Sequence, residues 1–70
     1  MKYGVLELCE AYGFDTEMHM ADAYQNEAGI PAICTDCGAT YEYEPDCSDG
    51  RCDHCEINAV QSLFILMGVI

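Results

Sequence analysis

Two stretches decide how this 70-residue chain folds: Ile33-Cys34-Thr35-Asp36-Cys37-Gly38 and Arg51-Cys52-Asp53-His54-Cys55-Glu56. Each holds a C-x2-C pair. A two-residue gap lets a tight turn aim both sulfurs at one ion while the turn's amides face those sulfurs, and two such turns complete a tetrahedron with thiolate bonds of about 2.3 Å. Gly38 follows the first pair, where a residue without Cβ can take positive φ and admit close amide-to-sulfur approach. Glu56 stands in that place after the second pair, is less permissive, and predicts continuation toward a helix. With Cys34, Cys37, Cys52 and Cys55 all engaged, no coordination position remains for water or substrate, so the expected cofactor is one structural Zn²⁺. Iron also fits four thiolates and is the less favoured alternative.

Length sharpens the need for that ion. Seventy residues form one domain whose core is marginal, because a small body buries a small fraction of its surface, and a metal, disulfide or partner subunit is then required as a staple. The first ten residues carry Glu7 and Glu10 and no apolar run ahead of a cleavage site, so retention in the cytoplasm is expected. In that reducing compartment paired cysteines read as metal ligands before they read as disulfides. Cys47, within the turn region, reads as a thiol outside the metal shell. Cys9, among Val5, Leu8 and Tyr12, reads as a small buried hydrophobe. His54 reads as solvent-facing, and His19 as an exposed partner of Asp15 or Asp22.

Thirteen acidic residues stand against only Lys2 and Arg51, a formal net charge of -11, yet 51% of the residues are hydrophobic. High charge joined to high apolar content predicts a folded acidic protein, not a disordered tail. The surface repels phosphate backbones, and one lysine with one arginine cannot assemble a basic patch, so direct nucleic-acid binding is disfavoured. No nucleophile with a base at a recognisable spacing and no glycine-rich phosphate loop occurs, so the chain is not expected to be an enzyme.

Along the chain, Val5, Leu8, Cys9 and Tyr12 share one helical face, and Gly13 suits the position after the last turn. Asp15 or Thr16 caps a second helix over about 16–28, stopped by Gly29 and Pro31 and leaning on the first. Residues 4–29 thus form a helical part, with Ile30 to Ala32 as a candidate hinge. In the ribbon segment 33–56, Thr40-Tyr41-Glu42-Tyr43-Glu44 alternates with period two, turning Tyr41 and Tyr43 inward and Glu42 and Glu44 outward. Pro45-Asp46 ends that strand, Ser48-Asp49-Gly50 supplies a turn, and the residues between the pairs suffice for one short hairpin. Residues 58–70 read as an apolar helix capped by Asn58, packing on Tyr41, Tyr43 and the first helix. Its uncharged part, Ala59 to Ile70, spans only about 18 Å as a helix and cannot cross a hydrocarbon core of about 30 Å, so no membrane partner is expected.

The residues from Ile33 to Ile70, with Cys34-Thr35-Asp36-Cys37-Gly38, Glu42-Tyr43-Glu44-Pro45-Asp46 and Cys52-Asp53-His54-Cys55 before a closing apolar segment, resemble small zinc-ribbon proteins encoded by tailed bacteriophages and prophages. Tyr12-Gly13-Phe14-Asp15 before the second helix is similar to the same group. The resemblance implies a structural zinc on the four paired cysteines, a virus-encoded origin and residence in a bacterial host cytoplasm; it implies no particular activity. Rubredoxins also set aromatic residues after a first cysteine pair, as Cys37-Gly38-Ala39-Thr40-Tyr41 does, but their pairs lie much farther apart, which leaves electron transfer a minor alternative.

The expected architecture is a small α+β metal-stabilised domain, a zinc ribbon flanked by two N-terminal helices and one C-terminal apolar helix. The expected function is an acidic protein-interaction module that binds a basic surface of another protein through Glu42, Glu44, Asp46 and Asp49. In the viral setting it would inhibit a host nucleic-acid-binding protein by occupying its basic site. The alternative is a transcription-associated regulator recruited through a protein partner, and the leftover apolar face of the C-terminal helix offers a route to homo-oligomers.

Overall fold

The computed structural model describes residues 2–68. Two helices, α1 (Val5–Tyr12) and α2 (Glu17–Tyr24), precede strands β1 (Ile30–Cys34), β2 (Thr40–Tyr43), β3 (Gly50–Cys52) and β4 (Ile57–Ser62), and a short helix α3 (Leu63–Met67) follows. The strands form one antiparallel sheet in the order β2-β1-β4-β3. This is a small α+β fold.

Local chemistry sets the helix ends. Glu7 reaches back to accept the Gly4 N–H at 2.7 Å, which satisfies one free donor of the first turn of α1. Gly13, at φ 78°, closes that helix, with the Phe14 N–H on the Cys9 carbonyl and the Gly13 N–H on the Glu10 carbonyl. Thr16 Oγ1 accepts the His19 N–H at 3.1 Å and caps α2. The second helix stops at Tyr24, four residues before the expected end; residues 25–29 are all exposed, and the small Ala28 is their one apolar side chain, so no buried contact holds another turn. His19 lies edge-on to Phe14, with ring centroids 5.5 Å apart.

The buried side chains form two small cores. In one, Leu8, Cys9 and Met20 from the helices pack with Ile30, Ile33 and Leu63. In the other, Ala32, Cys34, Cys52 and Val60 are buried under Tyr41, Tyr43 and Ala59.

Three expectations are corrected here. Ile30 to Ala32 is no hinge: all of Ile30–Cys34 is buried in a central strand. Pro31 is tolerated there because pairing with β4 starts at Ala32↔Ser62, so its missing amide falls where β4 gives way to α3. Residues between the cysteine pairs do not form a hairpin with each other, since β2 pairs with β1 and β3 with β4, leaving β2 and β3 at opposite edges. Each C-x2-C turn is itself a hairpin tip.

The third concerns the C-terminal segment. Asn58 is no helix cap, because residues 57–62 are a strand between β1 and β3; among the described residues of this segment, helix runs over Leu63–Met67. Ser62 is the actual cap: its buried hydroxyl accepts the Ile65 N–H at 3.3 Å and donates to the Pro45 carbonyl. The expected packing divides accordingly, with Ala59 and Val60 against Tyr41 and Tyr43 and Leu63 against the first helix. Val69 and Ile70 lie outside the described residues.

Candidate metal centre

Both cysteine pairs sit at turns built alike. In the first, the Gly38 N–H returns to the Cys34 carbonyl at 2.9 Å; in the second, the Glu56 N–H returns to the Cys52 carbonyl at 2.8 Å. Positive φ follows each pair, 83° at Gly38 and 59° at Glu56. Glu56 therefore does not lead to a helix: it takes the same left-handed turn as Gly38 and delivers the chain into β4. A side chain in that conformation costs roughly 1–2 kcal/mol. A Glu56→Gly variant is expected to melt about 4–8 °C higher in the metal-loaded form, a gain of about 1 kcal/mol, as measured by thermal unfolding; an unchanged or lower midpoint contradicts the shared-turn account.

The four expected ligands converge. The sulfurs of Cys34, Cys37, Cys52 and Cys55 all lie within 4.8 Å of one another. Cys34 to Cys55 is 3.9 Å and Cys37 to Cys52 is 3.6 Å. A tetrahedron with thiolate bonds of about 2.3 Å has sulfur-to-sulfur edges of about 3.8 Å, so these separations match a single ion and are far too long for a disulfide. A four-sulfur donor set of this size suits a structural metal site. Cys34 and Cys52 are buried, Cys37 and Cys55 half-buried, so the centre opens to solvent on one side. There the Asp36 carboxylate lies 3.6 Å from the Cys55 thiol.

Neighbouring donors differentiate the thiols. The Tyr41 hydroxyl stands 3.4 Å from Cys52 Sγ, as does the Cys55 N–H. The phenol hydrogen bond, assisted by that amide, brings Cys52 down to about 6, while Tyr41 itself is pushed up by the same bond. Cys55 is pushed far up, first by sharing a hydrogen bond with Cys37 and then by burial. A lowered pKa favours the Cys52 thiolate, the form in which a cysteine meets a cation.

The remaining cysteines stay apart from this group. Cys47 points its thiol at the Val60 carbonyl, 3.8 Å away, outside the cluster. Cys9 lies in the helical core, and burial, with Glu17 nearby, raises its pKa and keeps it a thiol. His54 is exposed.

The expected partner-binding residues are all at the surface: Glu42 on β2, then Glu44, Asp46 and Asp49 in the connection to β3. Glu42 lies close enough to α1 for its charge to add to burial in raising the Tyr12 pKa. Sequence reasoning missed what holds the turns in place. Thr35 sends both its N–H (2.9 Å) and its hydroxyl (3.1 Å) to the Ala59 carbonyl, and the Thr35 carbonyl receives the Lys2 and Tyr3 N–H groups. The Tyr3 ring covers Gly38, where a Cβ would lie 2.9 Å from it. Only the inward phase of Tyr41 and Tyr43 was readable in advance.

Among the described residues no helix is long and apolar enough to cross a membrane. No protein-family model, curated protein or solved structure matches the chain.

Proposed function

We propose that this chain is a zinc-ribbon protein whose single structural Zn²⁺ staples a rigid acidic module, and that the module acts by stoichiometric binding to a basic protein surface. The observation that carries the reading is the division of labour along β2. Tyr41 and Tyr43 commit their hydroxyls to Cys52 and to the Arg51 carbonyl, while Glu42 between them and Glu44, Asp46 and Asp49 beyond them remain exposed. Carboxylates on a strand and turn held this firmly offer a fixed array of negative charge without burying an unpaired one. The formal net charge of -11 reinforces the array and points to a cationic partner. In a virus-encoded setting, the partner is a host nucleic-acid-binding protein whose basic site is occupied, with no substrate turned over.

Opposite charge speeds encounter and fixes register more surely than it adds net affinity. The test is a Glu42→Lys, Glu44→Lys double variant of confirmed metal content and fold, compared with the parent protein. Each is titrated against a partner captured from nuclease-treated bacterial lysate. Association at low salt is expected to slow about tenfold or more, and the difference is expected to shrink as the Debye length falls from about 10 Å at 0.1 M toward 3 Å at 1 M. Unchanged affinity and unchanged association rate at low salt would reject this surface.

A further inference from the structure

The two metal-binding turns are anchored by different means. The first is clamped through its backbone: Thr35 is tied to β4 on one side and to the segment before α1 on the other, and Tyr3 lies over Gly38. In the second, Asp53, His54 and Glu56 are all exposed, and the strand that leads into it, β3, is a three-residue edge strand paired on one side only. From outside its own hairpin this turn is met by the exposed Asp36 carboxylate, 3.6 Å from the Cys55 thiol, and, at a buried sulfur and the turn's backbone together, by Tyr41. Its hydroxyl lies 3.4 Å from Cys52 Sγ and accepts the Asp53 N–H at 3.1 Å, two contacts on successive residues of the turn. A phenol has one hydrogen to donate and lone pairs to accept with, so both contacts are satisfied together, the hydrogen directed at sulfur and the oxygen at the amide.

We propose that Tyr41 is a positioning residue of the metal centre, reaching from the opposite edge of the sheet to hold Cys52 and the second turn in the ligating geometry. Tyr43 supplies the internal comparison. It stands two residues away on the same face, its ring centroid 5.8 Å from that of Tyr41, and its hydroxyl donates to the Arg51 carbonyl at 2.7 Å. It therefore joins the same two edges but touches no ligand sulfur. Loss of packing or of an edge-to-edge hydrogen bond would affect both tyrosines alike; loss of ligand positioning would affect Tyr41 alone.

The experiment loads cobalt(II) into the parent protein and into Tyr41→Phe and Tyr43→Phe variants, in competition with a chelator. Outer partners of metal ligands typically contribute 10–100-fold in metal affinity, and that loss is expected for Tyr41→Phe, with Tyr43→Phe within about threefold of the parent. The sulfur-to-cobalt charge-transfer bands are expected to shift in Tyr41→Phe and not in Tyr43→Phe. A second measurement needs no variant: in the cadmium-loaded parent protein, the Tyr41 hydroxyl proton is expected to be protected from exchange and coupled to ¹¹³Cd across the Cys52 sulfur. Equal affinity and spectra for Tyr41→Phe and the parent, equal losses in the two variants, or a freely exchanging Tyr41 hydroxyl would each overturn the assignment. The inference rests on the metal-centre reading: absence of stoichiometric cobalt from the parent protein defeats both, whereas full binding with an indifferent Tyr41 defeats this inference alone.

Discussion

A Cys52→Ser variant is expected to lose its metal and, with it, its cooperative unfolding transition. Cys52 is buried at the junction of β3 with the second turn, and its sulfur faces Cys37, the Tyr41 hydroxyl and the Cys55 N–H. Serine leaves that pocket with a hard oxygen in place of a soft thiolate and only three sulfurs to close the tetrahedron. Among the described residues one core has six buried members and the other four, two of which are cysteines of the cluster, so little else is there to compensate. Zinc binding in finger peptides is worth about 10–16 kcal/mol apparent, comparable to or larger than the whole stability of a typical domain, about 5–15 kcal/mol. By contrast, Cys47→Ser and Cys9→Ala are expected to keep one metal per chain. Native mass spectrometry with thermal unfolding checks all three. Full metal content and a native transition in the Cys52 variant, or loss of metal from either of the others, would show the ligand set to be wrong.

The second large effect concerns the end of the chain. Truncation after Asn58 is expected to abolish the sheet, not merely to expose a hydrophobic patch. The cut removes most of β4, the strand that joins β1 to β3, and with it Val60 from one core and Leu63 from the other. Burial of each such side chain is worth roughly 1.5–3 kcal/mol, and β3 would lose its Gly50↔Val60 pairing and keep only Ile57 and Asn58 of its partner strand. The Ser62 N–H also holds the β2–β3 connection through the Cys47 carbonyl at 2.9 Å. Circular dichroism and metal content of the truncated chain decide the matter: a monomer of native stability that retains its metal would refute the central placement of β4.

The contrast between these residues and others shows what could be read in advance. Cysteine spacing is a local property of a turn, so the four cysteines that cluster are legible from the sequence alone. The face of α1 and the alternation of β2 are legible for the same reason. Strand partners are not local. Ile30-Pro31-Ala32-Ile33 is buried throughout and so lacks the alternation that marks a half-buried strand, and a proline inside it argues against a central position. Residues 57–62, Ile-Asn-Ala-Val-Gln-Ser, run without a charged side chain or a turn signal into the apolar residues 63–67, and over that joined segment periodicity does not separate strand from helix. Glu56 conceals its turn for another reason: a non-glycine residue at positive φ is sterically disfavoured, and it is held there by the return of its N–H to the Cys52 carbonyl and by the Arg51 guanidinium on its own carbonyl. The Tyr41 bond to Cys52 depends on the curling of the whole sheet, which no local pattern encodes.

Gly50 illustrates how tightly that curl is drawn. A Cβ there would lie 2.9 Å from both Cys47 Sγ and the Tyr43 ring, so the ring rests directly on the backbone of β3. The strand order has an entropic corollary. Its outer pairings, β1 with β2 and β3 with β4, close short loops, but the seam between β1 and β4 joins residues no nearer in sequence than Thr35 and Ala59, 24 positions apart. Closing a loop grows dearer only slowly with its length, by about 0.6 kcal/mol per doubling, but the first closure must be made before any contact across the seam repays it. An ion spanning Cys34 and Cys55, 21 positions apart, closes nearly the same loop. A bound ion would therefore be a topological cross-link as well as a set of bonds, shortening the loop that the seam has to close.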